Sequence, residues 1–220
     1  MKLNKINFKK DIISSIVTFV DDKLSFEPEK QIPLEELKAS GLWKKYRQLG
    51  GEDYIQGTLE HTEMKCFQVY TQGSKKTSEG LFFIFNFNLS FKGVTVVLPR
   101  RWWQFFRKES LTWGGTELNL IDLADSEFEQ KYLVYSNNMI DYVFSTGFKQ
   151  CLLIFPHRLS LSFVNGKLYM AIAIQKDLFE APSTSNVLNF ERLQEIFEYL
   201  YFGKVLGEEF GLYLKNNFLI

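Results

Sequence analysis

The stretch LSLSFVNGKLYMAIA, residues 159–173, decides the fold because it encodes two β-strands and the turn that joins them. Asn165 and Gly166 separate two runs in which every second residue is apolar, and Asn-Gly readily adopts the two positive φ angles of a two-residue type I′ turn. This turn predicts an antiparallel hairpin with one wholly apolar face. The predicted pairs on that face are Phe163 with Leu168, Leu161 with Met170, and Leu159 with Ile172.

The same two-residue period runs through residues 81–91, which predict a long strand with one buried face. Its apolar side carries a Leu or Phe at every second position, and Asn86, Asn88 and Ser90 occupy the other side of its later half. Residues 54–60, 64–71 and 94–98 resemble neighbouring strands. Because the links between them are too short for crossover helices, we expect antiparallel pairing. Two further strands are predicted at residues 117–123 and 129–135.

Other segments show the three- and four-residue apolar spacing of amphipathic helices. Such helices are predicted at residues 8–24, 138–155 and 189–202, and a short one begins at Pro33 and ends at Gly41. Strands and helices do not alternate as they would in a parallel α/β sheet. The sequence therefore predicts an α+β fold, a mainly antiparallel sheet with N-terminal, central and C-terminal helices packed on it.

No repeat or linker divides the chain, so we expect residues 1–220 to form a single domain. Its predicted parts are N-terminal helices in 1–45, an α+β body in 53–200 and a C-terminal tail in 203–220. Gly203, Gly207 and Gly211 recur at every fourth position of that tail. Glycine costs a helix about 1 kcal/mol per residue, which favours a frayed or irregular tail. The alternative is a dimer seam, where small residues admit a second backbone; the oligomeric state stays open.

The charge balance and the cysteine count limit the class of protein. The 220 residues carry 26 Lys plus Arg and 26 Asp plus Glu, and a net charge of zero argues against a nucleic-acid-binding protein. Two cysteines exclude a disulfide framework and suit a reducing compartment. No signal-peptide cleavage site follows the N-terminal apolar stretch, and no run reaches the 18 or so apolar residues of a membrane span. We therefore expect a cytoplasmic protein without a transmembrane segment.

The residue types that most often perform chemistry are scarce in this chain. Its only cysteines are Cys66 and Cys151, and its only histidines are His61 and His157. Their spacing in the sequence is not the close pairing of structural zinc motifs. The sequence also lacks a nucleophile elbow, a P-loop, a metalloprotease helix and a dinucleotide fingerprint. We expect no metal, no cofactor and no catalytic residue. The rival hypothesis is an enzyme of unrecognised type that uses a Cys/His pair.

Residues 100–108 form the segment with the most unusual composition, because four cations and four large aromatic residues fall within nine positions. Arg100, Arg101, Trp102 and Trp103 at its start are the candidate binding residues. Such a segment could dock on an anionic membrane surface or on a protein partner. The alternative is that the aromatic rings close the end of the sheet after Pro99 while the guanidinium groups remain in water.

Several blocks, read in order, resemble the bacterial family known as domain of unknown function 3137. They are GEDYIQG at 51–57, FKGVTVVLP at 91–99, SEFE at 126–129, VYS at 134–136, LSFVNGKLYMAI at 161–172 and LFE at 178–180. The resemblance extends from about residue 12 to residue 200. The sequence departs from the family pattern at 137–148, where an Ala-Arg-Tyr and a Leu-Thr-Pro are missing. Many family members carry transmembrane helices before the domain. The resemblance implies no catalytic residues.

These observations lead to two hypotheses of different classes. The first is a non-enzymatic module that binds a protein or a membrane surface through Arg100, Arg101, Trp102 and Trp103. The second is the Cys/His enzyme. A deep pocket with converging polar groups would favour the enzyme, and an exposed docking patch would favour the binding module.

Overall fold

A computed structural model of the chain describes residues 7–42, 49–60, 62–71, 77–88, 93–100, 109–138, 144–181 and 189–218. A π-helical turn, Phe8–Ile13, leads into the first α-helix. The α-helices are α1 Ser14–Val20, α2 Leu34–Ala39, α3 Ser126–Lys131, α4 Thr146–Ile154 and α5 Phe190–Phe218. The strands are β1 Leu24–Glu27, β2 Leu49–Leu59, β3 Thr62–Thr71, β4 Thr77–Asn86, β5 Thr95–Pro99, β6 Ser110–Trp113, β7 Thr116–Ile121, β8 Tyr132–Ser136, β9 Leu159–Val164 and β10 Lys167–Ala173.

The strands form one ten-stranded sheet within the described residues, in the order β1-β2-β3-β4-β10-β9-β5-β8-β7-β6. Each pair of neighbouring strands is antiparallel. The predicted α+β class with an antiparallel sheet is therefore confirmed. The strand predicted at 94–98 is present as β5, but it was wrongly expected to neighbour the 81–91 strand. The hairpin β9–β10 lies between β4 and β5. Its position depends on pairing between strands that are far apart in the sequence.

The β9–β10 hairpin has the predicted register. Phe163 pairs with Leu168, Leu161 pairs with Met170 and Leu159 pairs with Ile172. Asn165 and Gly166 have φ angles of 52° and 75°, the left-handed values that a type I′ turn requires. The hairpin prediction is confirmed.

Both faces of β4 are buried at residues 81–85, whereas one buried face was expected. Leu81, Phe83 and Phe85 belong to the main core, which also contains side chains from α1, α4 and α5. On the opposite face, Phe82 and Ile84 lie in a smaller cluster with Leu37 of α2. The strand ends at Asn86, earlier than predicted. The sequence prediction failed because alternation shows an apolar face clearly only when the other face is polar.

The strand predicted at 129–135 and the helix predicted at 138–155 both begin later than expected. In both cases the cause is a side chain that caps the N-terminus of a helix, α3 in the first case and α4 in the second. Residues 129–131 belong to α3, because Asp125 accepts a hydrogen bond from the Phe128 N–H at 3.1 Å and starts a helical turn there. The strand β8 follows only from Tyr132. The helix predicted at 138–155 begins at Thr146, since Ser145 Oγ accepts from the Phe148 N–H at 3.1 Å. Residues 139–143 lie outside the described part of the chain.

The segment expected to be a frayed or irregular tail is the second half of α5, which continues without a break to Phe218. Gly203 and Gly207 face the aromatic side of β4. A Cβ atom would lie 2.3 Å from Phe83 Cε1 at position 203 and 2.5 Å from Phe85 Cε1 at position 207. The small residues thus admit the sheet of the same chain, and packing of the helix on the Phe rings offsets the low helix propensity of glycine.

Candidate functional site

The candidate site lies where β5 ends beside α3. The backbone N–H of Arg100 donates to Lys131 O at 2.8 Å, and its guanidinium Nη1 donates to Glu129 O at 2.9 Å. The side chain of Arg100 is exposed but held against the last turn of α3. Of the predicted binding residues, Arg100 is described by the structure. Arg101, Trp102 and Trp103 lie outside the described residues, so their role stays a prediction.

Lys131 joins α3 to the carboxyl end of α4. Its Nζ donates to the carbonyl oxygens of Leu152, Leu153 and Phe155 at 3.1, 2.8 and 2.6 Å. These three bonds use all three N–H groups of the ammonium. A cation at a helix C-terminus compensates the partial negative charge of the last carbonyl groups. Burial lowers the pKa of Lys131 below its ordinary value.

Tyr132 strengthens the same junction from the start of β8. Its hydroxyl donates to Leu152 O at 3.2 Å, and its side chain is almost fully buried. Burial raises the pKa of this phenol, so it remains a neutral donor at physiological pH. Two neighbouring residues therefore fix the end of α4 against α3 and β8.

These elements border a cleft of about 470 Å³ whose described lining carries more positive than negative side chains. Arg100, Lys131 and Arg158 bring three positive charges to it, and Glu127 brings one negative charge. Among the residues that the structure describes, the lining is Pro99, Arg100, Glu127, Gln130, Lys131, Tyr132, Leu153, Pro156, His157 and Arg158. The cleft therefore has an excess of positive charge in a protein whose net charge is zero.

An exposed apolar side chain stands at the end of α4. Ile154 follows the cleft residue Leu153 and is 79% exposed. Arg158, four residues further along, is also exposed, and within the described residues its guanidinium has no hydrogen bond or ion pair. Ile154 and Arg158 thus place an exposed apolar and an exposed cationic side chain four residues apart, and surfaces that contact the lipid interface combine these two residue types.

Sequence reasoning found Arg100 and missed Lys131, Ile154 and Arg158. These three residues lie in separate elements and share no motif spacing. A weak signal was available for Arg158. It stands between Pro156 and Leu159, the first residue of the hairpin, and a charged side chain just before a strand is expected to be exposed. Nothing in the local sequence of Lys131 indicates the helix end that it caps.

The two cysteines of the enzyme hypothesis both have a raised pKa. Cys66 is fully buried on β3, and burial raises its pKa well above the ordinary value. Burial raises the pKa of Cys151 on α4, and the charge of Glu209 raises it further. Both directions disfavour the thiolate, which is the nucleophilic form. His157 lies at the cleft with its ring 4.8 Å from that of Tyr199, and His61 lies outside the described residues.

No described group of three or more His, Cys, Asp or Glu side chains has an arrangement that could hold a metal ion. Both cysteines are unpaired thiols. Among the described residues, no helix combines the length and the apolar character that crossing a bilayer requires.

A second charged cluster lies away from the cleft and connects the N-terminal turn to the sheet. Lys9 Nζ contacts both carboxylate oxygens of Asp53, at 3.0 and 2.9 Å, and Glu180 Oε1 at 2.6 Å. Asp53 is fully buried, has a φ of 59° at a β-bulge, and also accepts the Glu29 N–H at 3.0 Å. Burial lowers the pKa of Lys9, but its hydrogen bonds to Glu180 and Asp53 outweigh that effect and the net shift is upward. Because every charge is paired, this cluster has the character of a structural tie.

The sequence profile of the family described as "Protein of unknown function (DUF3137)" matches residues 77–212. That range contains β4, the cleft and most of α5. No curated protein sequence gives a significant match to the chain.

A solved structure has a similar fold. It is the crystal structure of the mycobacterial trehalose monomycolate transport factor A, TtfA, with a TM-score of 0.52 and 9% sequence identity. The similarity covers 93% of this chain and 93% of that chain. At this identity the likeness concerns the fold alone.

Proposed function

The chain belongs to the DUF3137 family, and we propose that it is a non-enzymatic binding module that docks on an anionic membrane surface. Its binding residues are Arg100, Arg101, Trp102 and Trp103. The observation that carries the proposal is that Arg100 lines a cleft with an excess of positive charge, and that the exposed Ile154 follows the cleft residue Leu153 in the chain. Cations attract anionic headgroups, and large apolar side chains enter the interface between headgroups and acyl chains.

Two further observations support a binding role. The raised pKa of both thiols disfavours the thiolate that the Cys/His enzyme would use. The fold is also similar to that of a protein named as a trehalose monomycolate transport factor, and a transport factor can act by binding its cargo or partner without chemistry. We also infer a cytoplasmic location from the two unpaired cysteines.

Cosedimentation with vesicles tests this function. We expect the protein to sediment with vesicles that contain phosphatidylglycerol and to remain in solution with pure phosphatidylcholine. Added salt should weaken binding, because exposed charges are screened over about 10 Å at 0.1 M. Replacing Arg100 and Arg101 by Ser should abolish binding and leave the melting temperature unchanged, since exposed charges contribute less than about 1 kcal/mol to stability.

The tryptophans separate a binding role from a core role. If Trp102 and Trp103 enter the interface, their replacement by Ala abolishes vesicle binding while the protein keeps its stability. If the rings belong to the core, the same variant loses several kcal/mol of stability, about 3–5 for each large aromatic side chain. Absence of salt-sensitive vesicle binding by the wild type would reject the membrane function and leave a protein partner as the occupant.

A further inference from the structure

The cationic cleft points to a more specific ligand than a charged surface. We infer that it takes the phosphate group of an anionic phospholipid, with Arg100 and Arg158 as its contacts and Ile154 as the adjoining apolar anchor. This inference rests on the proposed membrane function and adds residues 131, 154 and 158 to it. The cleft of about 470 Å³ has room for a phosphate together with the glycerol that carries it.

Two arginines supply the donors that such a group requires. A guanidinium carries five N–H groups in a planar fork that matches two oxygens of a phosphate. Arg100 uses Nη1 in its bond to Glu129 O. Arg158 has no guanidinium bond within the described part of the chain. Donors therefore remain on both side chains that line the cleft.

Lys131 decides the sign of the electrostatic potential at the base of the cleft. The carboxyl end of α4 would otherwise present carbonyl oxygens, which repel anions. The ammonium of Lys131 donates to none of the ligand's oxygens, because its three N–H groups already donate to the carbonyl oxygens of Leu152, Leu153 and Phe155. It therefore acts as a positioning residue that neutralises the helix end and leaves hydrogen bonding to the arginines.

Ile154 identifies a lipid as the source of the phosphate. Its side chain is 79% exposed immediately after the cleft residue Leu153. A free phosphate would leave this apolar surface in water, whereas a membrane would remove it from water. The combination of a headgroup-sized cationic cleft and an adjoining exposed isoleucine fits a phospholipid at a membrane surface.

The test compares single substitutions in the full chain, by cosedimentation with phosphatidylcholine vesicles containing phosphatidic acid. Arg100→Gln and Arg158→Gln should each weaken binding about fivefold, the effect of about 1 kcal/mol per arginine near an anionic surface. Ile154→Ser should weaken it several-fold without changing the melting temperature. The matched control is Lys23→Gln, which removes one exposed charge outside the cleft and should bind as the wild type does.

The outcomes separate the inference from the function on which it rests. If the wild type binds no anionic vesicle, the membrane function itself fails. If the wild type binds but Arg158→Gln behaves like Lys23→Gln, the surface function stands and the cleft is rejected. A further experiment adds glycerol 3-phosphate to the protein bound to anionic vesicles, and its control is sodium chloride of equal ionic strength. If glycerol 3-phosphate alone displaces the protein and Ile154→Ser binds normally, the ligand is a soluble phosphate and the lipid assignment is overturned.

Discussion

Gly203 lies against the ring of Phe83, and this contact sets how closely α5 approaches the sheet. A Cβ atom at position 203 would come 2.3 Å from Phe83 Cε1, 2.8 Å from Cδ1 and 2.8 Å from Cζ. Phe83 is itself fully buried and stacks beside Phe85, with 6.1 Å between ring centroids. The ring therefore has little room to move away from the helix.

Gly203→Ala should consequently destabilise the protein, although alanine is the better helix former. Overpacking a buried contact costs about 1–3 kcal/mol, and the gain in helix propensity offsets about 1 of this, so we expect a net loss of up to about 2 kcal/mol. Urea unfolding measures the change. The control is Asn216→Ala, an exposed position of α5 where alanine should be neutral or slightly stabilising. A stabilised Gly203→Ala protein would contradict the close packing.

The hairpin turn gives a second prediction. Replacing both Asn165 and Gly166 by Val should be severely destabilising, because both positions have positive φ and a β-branched residue resists that conformation. The matched control is Asn165→Gly, which tolerates positive φ and should keep the melting temperature within a few degrees. An unchanged melting temperature in the double Val variant would refute the turn.

The Lys9–Asp53 pair gives a third prediction. Lys9→Met leaves the fully buried Asp53 carboxylate without its cation, and breaking a buried pair in this way costs about 3–5 kcal/mol. Lys10→Met removes the same charge from the exposed neighbouring residue and should change stability little. Adding Asp53→Asn to Lys9→Met should recover part of the loss, because the neutral amide costs less to bury. Equal unfolding midpoints for Lys9→Met and Lys10→Met would show that the pair does not stabilise the fold.

Asp125 gives a prediction about pH. Its carboxylate accepts from Lys149 Nζ at 2.5 Å and from the Phe128 N–H, and these bonds lower its pKa. A lowered pKa in the folded state means that its stabilisation is complete above the unfolded value of about 3.9 and is lost as pH falls through the folded value. Asp125→Asn keeps a capping residue and removes the charge. The stability difference between wild type and Asp125→Asn in urea should therefore shrink below about pH 4. A constant difference from pH 7 to pH 3 would contradict this account.

Local sequence determined the elements whose physical cause is local. Asn165-Gly166 specified the turn, and the two-residue alternation on either side specified the register, because side chains of a strand alternate between faces. Apolar spacing similarly located the N-terminal helix and the first part of α5. For the candidate site, composition alone selected Arg100 as a residue of interest.

Tertiary structure decided the features that depend on partners far away in the sequence. The insertion of β9–β10 between β4 and β5, and the burial of Phe82 on the second face of β4, arise from packing across the sheet. The glycines of α5 were expected to break a helix, but contact with Phe83 and Phe85 stabilises one instead, since tertiary packing can outweigh a propensity cost of about 1 kcal/mol per residue. The cleft depends on Arg100, Lys131 and Arg158 meeting at the end of α4. The fold brings these like charges together from separate parts of the chain, so no spacing along the sequence could have specified the cleft.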